Sequence, residues 1–170
     1  MGMKLTEDRF DFDLFEPMPD DWYVLRIKKA EASLVDSGLK AKVEAEVETG
    51  EHQGRKHFEN FSTRKQDGME NSMGCQMLLA FLLKAGIAKA GQFTDSSQFE
   101  TEKFAAAFQK LATEKLYGAY LSVNKYTDKN GKERANNKTQ KFRTVAEAQA
   151  EQKKVPPAPN GKTAAGGDWD

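Results

Sequence analysis

The ten residues "LKAKVEAEVE" at 39–48 constrain the fold more than any other stretch of the chain. Leu39, Ala41, Val43, Ala45 and Val47 fall on one parity, and Lys40, Lys42, Glu44, Glu46 and Glu48 on the other. Strand side chains alternate between two faces, so this pattern predicts a strand with one buried and one solvated face, whereas a helix would mix the two sets around its axis. A strand of that kind needs hydrogen-bonding neighbours and an apolar layer beneath it.

The neighbours are legible on both sides. "WYVLRIKKA" at 22–30 alternates as well, with Tyr23, Leu25 and Ile27 on one face and Trp22, Val24, Arg26 and Lys28 on the other. The turn signal "DSG" at 36–38 joins it to the second strand, and "GEHQG" leads on to "RKHFENFST", completing a meander. Phe58 and Phe61 have opposite parity in this third strand, so its facing stays open and one of the two is expected to line a groove.

Helical period takes over from Ser72, an expected N-cap, to Gly86, an expected C-cap. Met77, Leu78, Phe81 and Leu82 form a stripe that Cys75, Leu79 and Leu83 widen until little polar face remains, which predicts a buried helix. A second stretch, "TEKFAAAFQKLATEK", sets Phe104, Phe108, Leu111 and Ala112 opposite lysines and glutamates. Residues 88–98 carry too little pattern to assign. Strands return in "LYGAYLSVNKYTD", with Tyr117, Ala119, Leu121 and Val123 on the core parity, and the Asn130-Gly131 turn leads to "KERANNKTQKFRTV". Five strands with helices between the third and fourth is the connectivity of the OB-fold, so the expected class is mainly β, an OB-fold-like five-stranded barrel. Three regions follow: an acidic segment at 1–21, the domain at 22–145, and a flexible linker with an acidic-aromatic tip at 146–170.

Composition narrows the class. The single cysteine, Cys75, excludes a disulfide framework and fits a reducing cytoplasm, and "MLLAFLLKAG" falls short of the roughly 20 apolar residues that span a bilayer. Net charge is zero, with 26 basic and 26 acidic residues, but the balance is uneven along the chain. Residues 1–21 hold two basic and seven acidic side chains, and residues 116–145 hold seven basic and two acidic. A chain polarised in this way can carry a local positive field that steers a polyanion.

Single-strand binding without sequence readout needs a positive groove for phosphates and π faces for bases. Tyr120 and Tyr126 share the outward parity of the fourth strand with Ser122 and Asn124, where no core demands an aromatic ring. Trp22 extends that platform or caps the barrel bottom, and Phe142 extends it or plugs the rim. Phe58 joins the candidate groove. Arg26, Lys28, Arg55, Lys56, Lys125, Arg134, Lys138, Lys141 and Arg143 are the candidate phosphate contacts. The segments "WYVLRIKKAEASLVDSGLKAKVEAEVETGEHQGRKHFENF" and "GAYLSVNKYTDKNGKERANNKTQKF", with an apolar helix between them, resemble a family of small phage-encoded proteins similar to single-stranded DNA-binding proteins with an OB-fold. The resemblance spans roughly residues 15–145. It implies coating of single strands during phage replication or recombination, in the host cytoplasm, and fixes no individual base contact.

The stretch "TAAGGDWD" looks like a minimal version of the acidic, aromatic tip with which such proteins recruit replication and repair partners, Asp168 and Asp170 supplying charge and Trp169 the anchor. An enzyme finds little support. His52 and His57 make a weak metal set, no phosphate loop or nucleophile motif appears, and no cofactor is implied. The competing class is a protein-interaction adaptor that modulates a replication complex; an uncharged apolar groove would favour it over the basic hairpin.

Overall fold

In the computed structural model, which describes residues 16–36 and 38–154, the alternating stretches are strands. They are β1 (Asp21–Val35), β2 (Gly38–Val47), β3 (Lys56–Ser62), β4 (Leu116–Thr127) and β5 (Glu133–Arg143). All pair antiparallel in one sheet of order β3-β2-β1-β4-β5. β1 is shared between the two halves, pairing with β4 from Asp21 to Arg26 and with β2 from Leu25 to Val35. A register shift between Ile27 and Lys29 lies just past that handover, and bulges bend the strand that carries them.

One face of the sheet is the core. Tyr23, Leu25 and Ile27, the five apolar residues of β2, and Tyr117, Ala119 and Leu121 are buried on the parity that the sequence predicts. The third strand resolves the same way: His57, Glu59 and Phe61 point inward, while Phe58 is 47% exposed on the outer side.

The insertion between β3 and β4 holds α1 (Ser72–Lys84), a 3-10 turn (Ser96–Phe99) and α2 (Glu102–Ala112). The cap of α1 is Asn71 rather than Ser72: its amide oxygen accepts from the Gly74 N–H at 2.9 Å, a better-placed acceptor one residue earlier. Ala85 ends the helix and Gly86 follows at φ +73°, the left-handed geometry that glycine takes after a helix. α1 drives Phe81 into the centre of the molecule, its ring 5.0–6.3 Å from those of Phe61, Phe108, Tyr117 and Phe142. Truncating such a ring to alanine typically costs about 3–5 kcal/mol. The insertion is also fastened by charge. Arg64 grips Glu100 with two bonds of 2.9 and 3.1 Å, and the Thr63 hydroxyl donates to the same carboxylate while accepting from the Leu39 N–H.

Two expectations need correction. The sheet is open, since β3 and β5 share no backbone ladder; polar side chains fill that seam, and α1 packs against β3, β4 and β5. Residues 146–154, assigned to the linker on composition, belong to a third helix, α3 (Val145–Lys154). Its start is a capping box, in which the Glu147 N–H donates to the Thr144 hydroxyl and the Thr144 N–H to the Glu147 carboxylate, and its Ala148 is fully buried. Most of the acidic segment, with residues 155–170 and their tip at Asp168, Trp169 and Asp170, lies outside the described residues. Among the described residues, no helix is long and apolar enough to cross a membrane.

Candidate nucleic-acid interface

The outer face of the β4–β5 hairpin follows from register. Tyr120, Ser122, Asn124 and Tyr126 sit opposite Lys141, Lys138, Asn136 and Arg134 in that order, so one strand supplies aromatic and small polar groups and the other cations and amides. The residue that makes this alignment possible is Gln140: a register shift beside Tyr120 and Leu121 lets Lys141 and Lys138 emerge on one face although they stand three positions apart. Gln140 donates to the Ser122 hydroxyl at 2.8 Å, and Asn124 donates to Asn136 at 3.2 Å, which hold the middle of the face flat and polar. Tyr126 is 43% exposed, and Lys138 and Lys141 are exposed with no carboxylate partner among the described residues. The turn beyond is braced by Asp128, whose carboxylate accepts from the backbone of Asn130 and Lys132 and from Arg134 at 2.8 Å. The Arg134 guanidinium holds that carboxyl below its ordinary range.

The other end of the face is covered. α3 lies across β1 and β4 and buries Trp22, Val24 and Ala148 together, with Leu116, Tyr120 and Val145 packed around them. Trp22 is 9% exposed. Its ring meets Tyr120 edge-on at 5.3 Å, the Arg143 guanidinium lies 5.8 Å from its centre, and its carbonyl accepts from the Gln152 amide at 2.8 Å. The indole neither presents an open face nor caps a closed barrel: it fills the space beneath a helix. Tyr120 is half-buried against it, so only its outer edge borders the open face.

Several expected contacts are placed elsewhere. Phe142 is 3% exposed and packs with Phe61, Phe81 and Tyr117, so it is a core residue and presents no face for a base; the bulge at Gln140 turns it inward. Arg26 is held by Glu48 through two bonds of 2.9 and 2.8 Å and reaches Glu114, and Lys28 also faces Glu114. Lys56 lies 3.5 Å from Glu44, and Arg55 donates to the Glu16 carbonyl. These cations already have acidic or backbone partners. Phe58 stands on the outer side of β3, three strands away from β4, opposite Glu44. Lys125 is exposed but shares its parity with Val123, pointing past the end of the core rather than with Tyr126. The hairpin face therefore gathers Tyr120, Tyr126, Lys138 and Lys141, with Arg134 at its turn end held by Asp128 and Arg143 at its covered end.

Sequence reasoning missed a second constellation. Glu59 is 6% exposed, and one of its oxygens accepts from the Tyr117 hydroxyl at 2.9 Å and the Thr139 hydroxyl at 2.7 Å, with His57 Nε2 at 3.1 Å. Thr139 spends its only proton on Glu59, so its 2.9 Å contact with His57 makes Nε2 the protonated ring nitrogen. Burial, reinforced by the neighbouring Glu59 charge, pushes the Tyr117 hydroxyl well above its ordinary range. A buried carboxylate is tolerable only when donors converge on it, and here they come from β3, β4 and β5. The cluster is a clasp between strands that share no ladder. Its signal in the sequence was a glutamate on the parity of Phe61, which became readable only once that parity was known. His52, by contrast, edges the Tyr23 ring at 6.1 Å. Among the described residues, no three metal-ligating side chains converge.

The chain matches no family model and no curated protein.

Proposed function

We propose that this protein binds single-stranded DNA without sequence specificity, using the outer face of the β4–β5 hairpin, and acts in DNA replication or recombination as a binding protein rather than an enzyme. One observation carries the reading: Tyr126 and the edge of Tyr120 lie in register with Arg134 and Lys141 across a face whose middle holds Ser122, Asn124 and Asn136 beside Lys138. Bases stack on ring faces and phosphates seek the unpaired ammonium groups, with each stack worth on the order of 1–3 kcal/mol. The strand order β3-β2-β1-β4-β5 is that of an OB-type sheet left open at one seam, which the Glu59 clasp spans between β3 and β5. The resemblance to phage single-stranded DNA-binding proteins is consistent with this role, and with partner recruitment through Asp168, Trp169 and Asp170.

Polarisation titration of labelled oligo-dT, against duplex of equal length and at two salt concentrations, tests the reading. Single-strand binding that weakens with salt is the expected result, since phosphate contacts release counterions. No binding at low salt overturns it. A protein-interaction adaptor is the second reading, and a different observation favours it: the helical insertion contains an apolar cavity of about 420 Å³.

A further inference from the structure

That cavity opens between the end of α1, the segment after it and α2. It is lined by Leu82, Ile87, Phe93, Phe104, Phe108 and Leu111, with Lys103 at the rim. Its size falls in the lower part of the roughly 300–1,000 Å³ range of ligand sites, enough for a large aromatic side chain and its neighbours. Leu111 is 51% exposed, an apolar rim that a monomer gains by covering. Lys103, Ala107, Lys110 and Leu111 recur at helical spacing on one side of α2; Lys103, Ala107 and Leu111 line the cavity, and Lys110 follows on the same side of the helix. Both lysines are exposed and neither has a carboxylate partner among the described residues.

We propose that the cavity is the docking site for the chain's own acidic-aromatic segment, with Trp169 entering between α1 and α2 while Asp168 and Asp170 face Lys103 and Lys110. Three observations choose this occupant. Its chemistry is complementary, one indole between two carboxylates against one apolar cavity with Lys103 in its lining and Lys110 farther along the same side of α2. Its anchor is close, because Lys84 at the end of α1 bonds Glu147 at the start of α3 at 2.9 Å, and Leu82 and Ile87 of the cavity flank Lys84 in sequence. Its reach is ample: α3 carries the chain about 10 Å onward from Glu147 to Lys154, and the sixteen residues from 155 to 170 extend to roughly 50 Å at most. The other acidic-aromatic segment, with Phe10, Phe12 and Phe15, joins the domain at Glu16 beside Arg55 and at Met18 beside Asn137, away from α2. A tether of this kind supplies an effective concentration on the order of millimolar, so a contact too weak to hold a free peptide still fills the site.

The proposal is independent of DNA binding. Its test is acrylamide quenching of Trp169 in the full chain, taken as the difference between the unmodified protein and its Trp169→Ser variant, with the peptide TAAGGDWD as the free reference. The quenching constant of Trp169 is expected to be at least about twofold below that of the peptide, as an occupancy of half or more requires. The variant carrying Lys103→Glu and Lys110→Glu, both solvent-exposed changes, is expected to return it to the peptide value with the far-ultraviolet dichroism unchanged. Peptide-like quenching in the unmodified chain overturns the proposal. So does protection that survives the charge reversal, which places the segment elsewhere, or protection that vanishes on dilution, which assigns the cavity to a second copy's segment.

Discussion

Gly118 on β4 and Ala148 on α3 meet so closely that a methyl group at Gly118 would lie 2.4 Å from the Ala148 methyl carbon and 2.8 Å from the Thr144 carbonyl. That contact fixes how near α3 approaches the sheet, and so how completely it covers Trp22.

Gly118→Ala is therefore expected to lift α3. Overpacking of this kind costs about 1–3 kcal/mol. Urea unfolding should show that loss, and Trp22 emission should shift to the red. Ala148→Gly in the same chain should recover part of it, because the nearer clash is then gone while the one with Thr144 remains.

The clasp makes a second prediction. Glu59→Leu leaves the Tyr117 and Thr139 hydroxyls without their acceptor, while the His57 N–H keeps the Thr139 oxygen, and each buried orphan costs about 1–3 kcal/mol. A loss of about 3 kcal/mol or more in urea unfolding is expected, with faster amide exchange along β3 and β5. Thr139→Val keeps the Tyr117 bond to Glu59 and should cost about half as much.

On the hairpin face, Tyr126→Ala should weaken oligo-dT binding by about 1–3 kcal/mol, while Tyr126→Phe, which keeps the π face, should be close to unchanged. Lys138→Ala and Lys141→Ala should each lower the salt slope of binding by about 0.7. Tyr120→Ala should act mainly on stability, since that ring packs against Trp22.

Acid should loosen α3 before the sheet. Backbone donation from Thr144, helped by Lys84, holds the Glu147 carboxyl down at about 2 against an ordinary 4.5. A depressed folded value means the unfolded chain binds the proton more readily, so this contribution is complete above about 4.5 and fades as pH falls toward 2. Trp22 emission followed through that window should report the change, and Glu147→Gln should flatten it.

The fold was legible wherever burial follows periodicity. β2 could be read residue by residue because its two faces differ at every step, and Tyr117, Ala119 and Leu121 for the same reason. β3 could not, because its inward set includes a histidine and a glutamate that only mutual hydrogen bonding makes buriable. α3 was hidden by its alanines and by the proline-rich stretch beyond it, although Thr144 and Glu147 at capping-box spacing announced its start. At the candidate interface, parity placed Tyr120 and Tyr126 together, but it could not choose between the two readings of Phe142, because a one-residue bulge at Gln140 reverses the faces beyond it, and no local pattern shows a bulge. Lysine and arginine positions say nothing of their partners, and so Arg26, Lys28 and Lys56 looked available until Glu48, Glu114 and Glu44 were seen beside them.

The division of β1 between two partners bears on how the chain reaches this structure. Its far end joins β2 through a short turn, so the first three strands form a locally connected unit that can zip up early. Asp21 must instead find Leu121, one hundred residues along the chain, and the six pairs from there to Arg26 are, among the described residues, the only ladder joining the β4–β5 hairpin to the rest. Loop closure over such a span makes this docking the slow step, and the core helix α1 lies inside the loop being closed. A circular permutant opened in the turn at Gly131 would place β5 at the new start of the chain and leave that distance unchanged, whereas joining the helical insertion's ends more tightly would shorten the search directly.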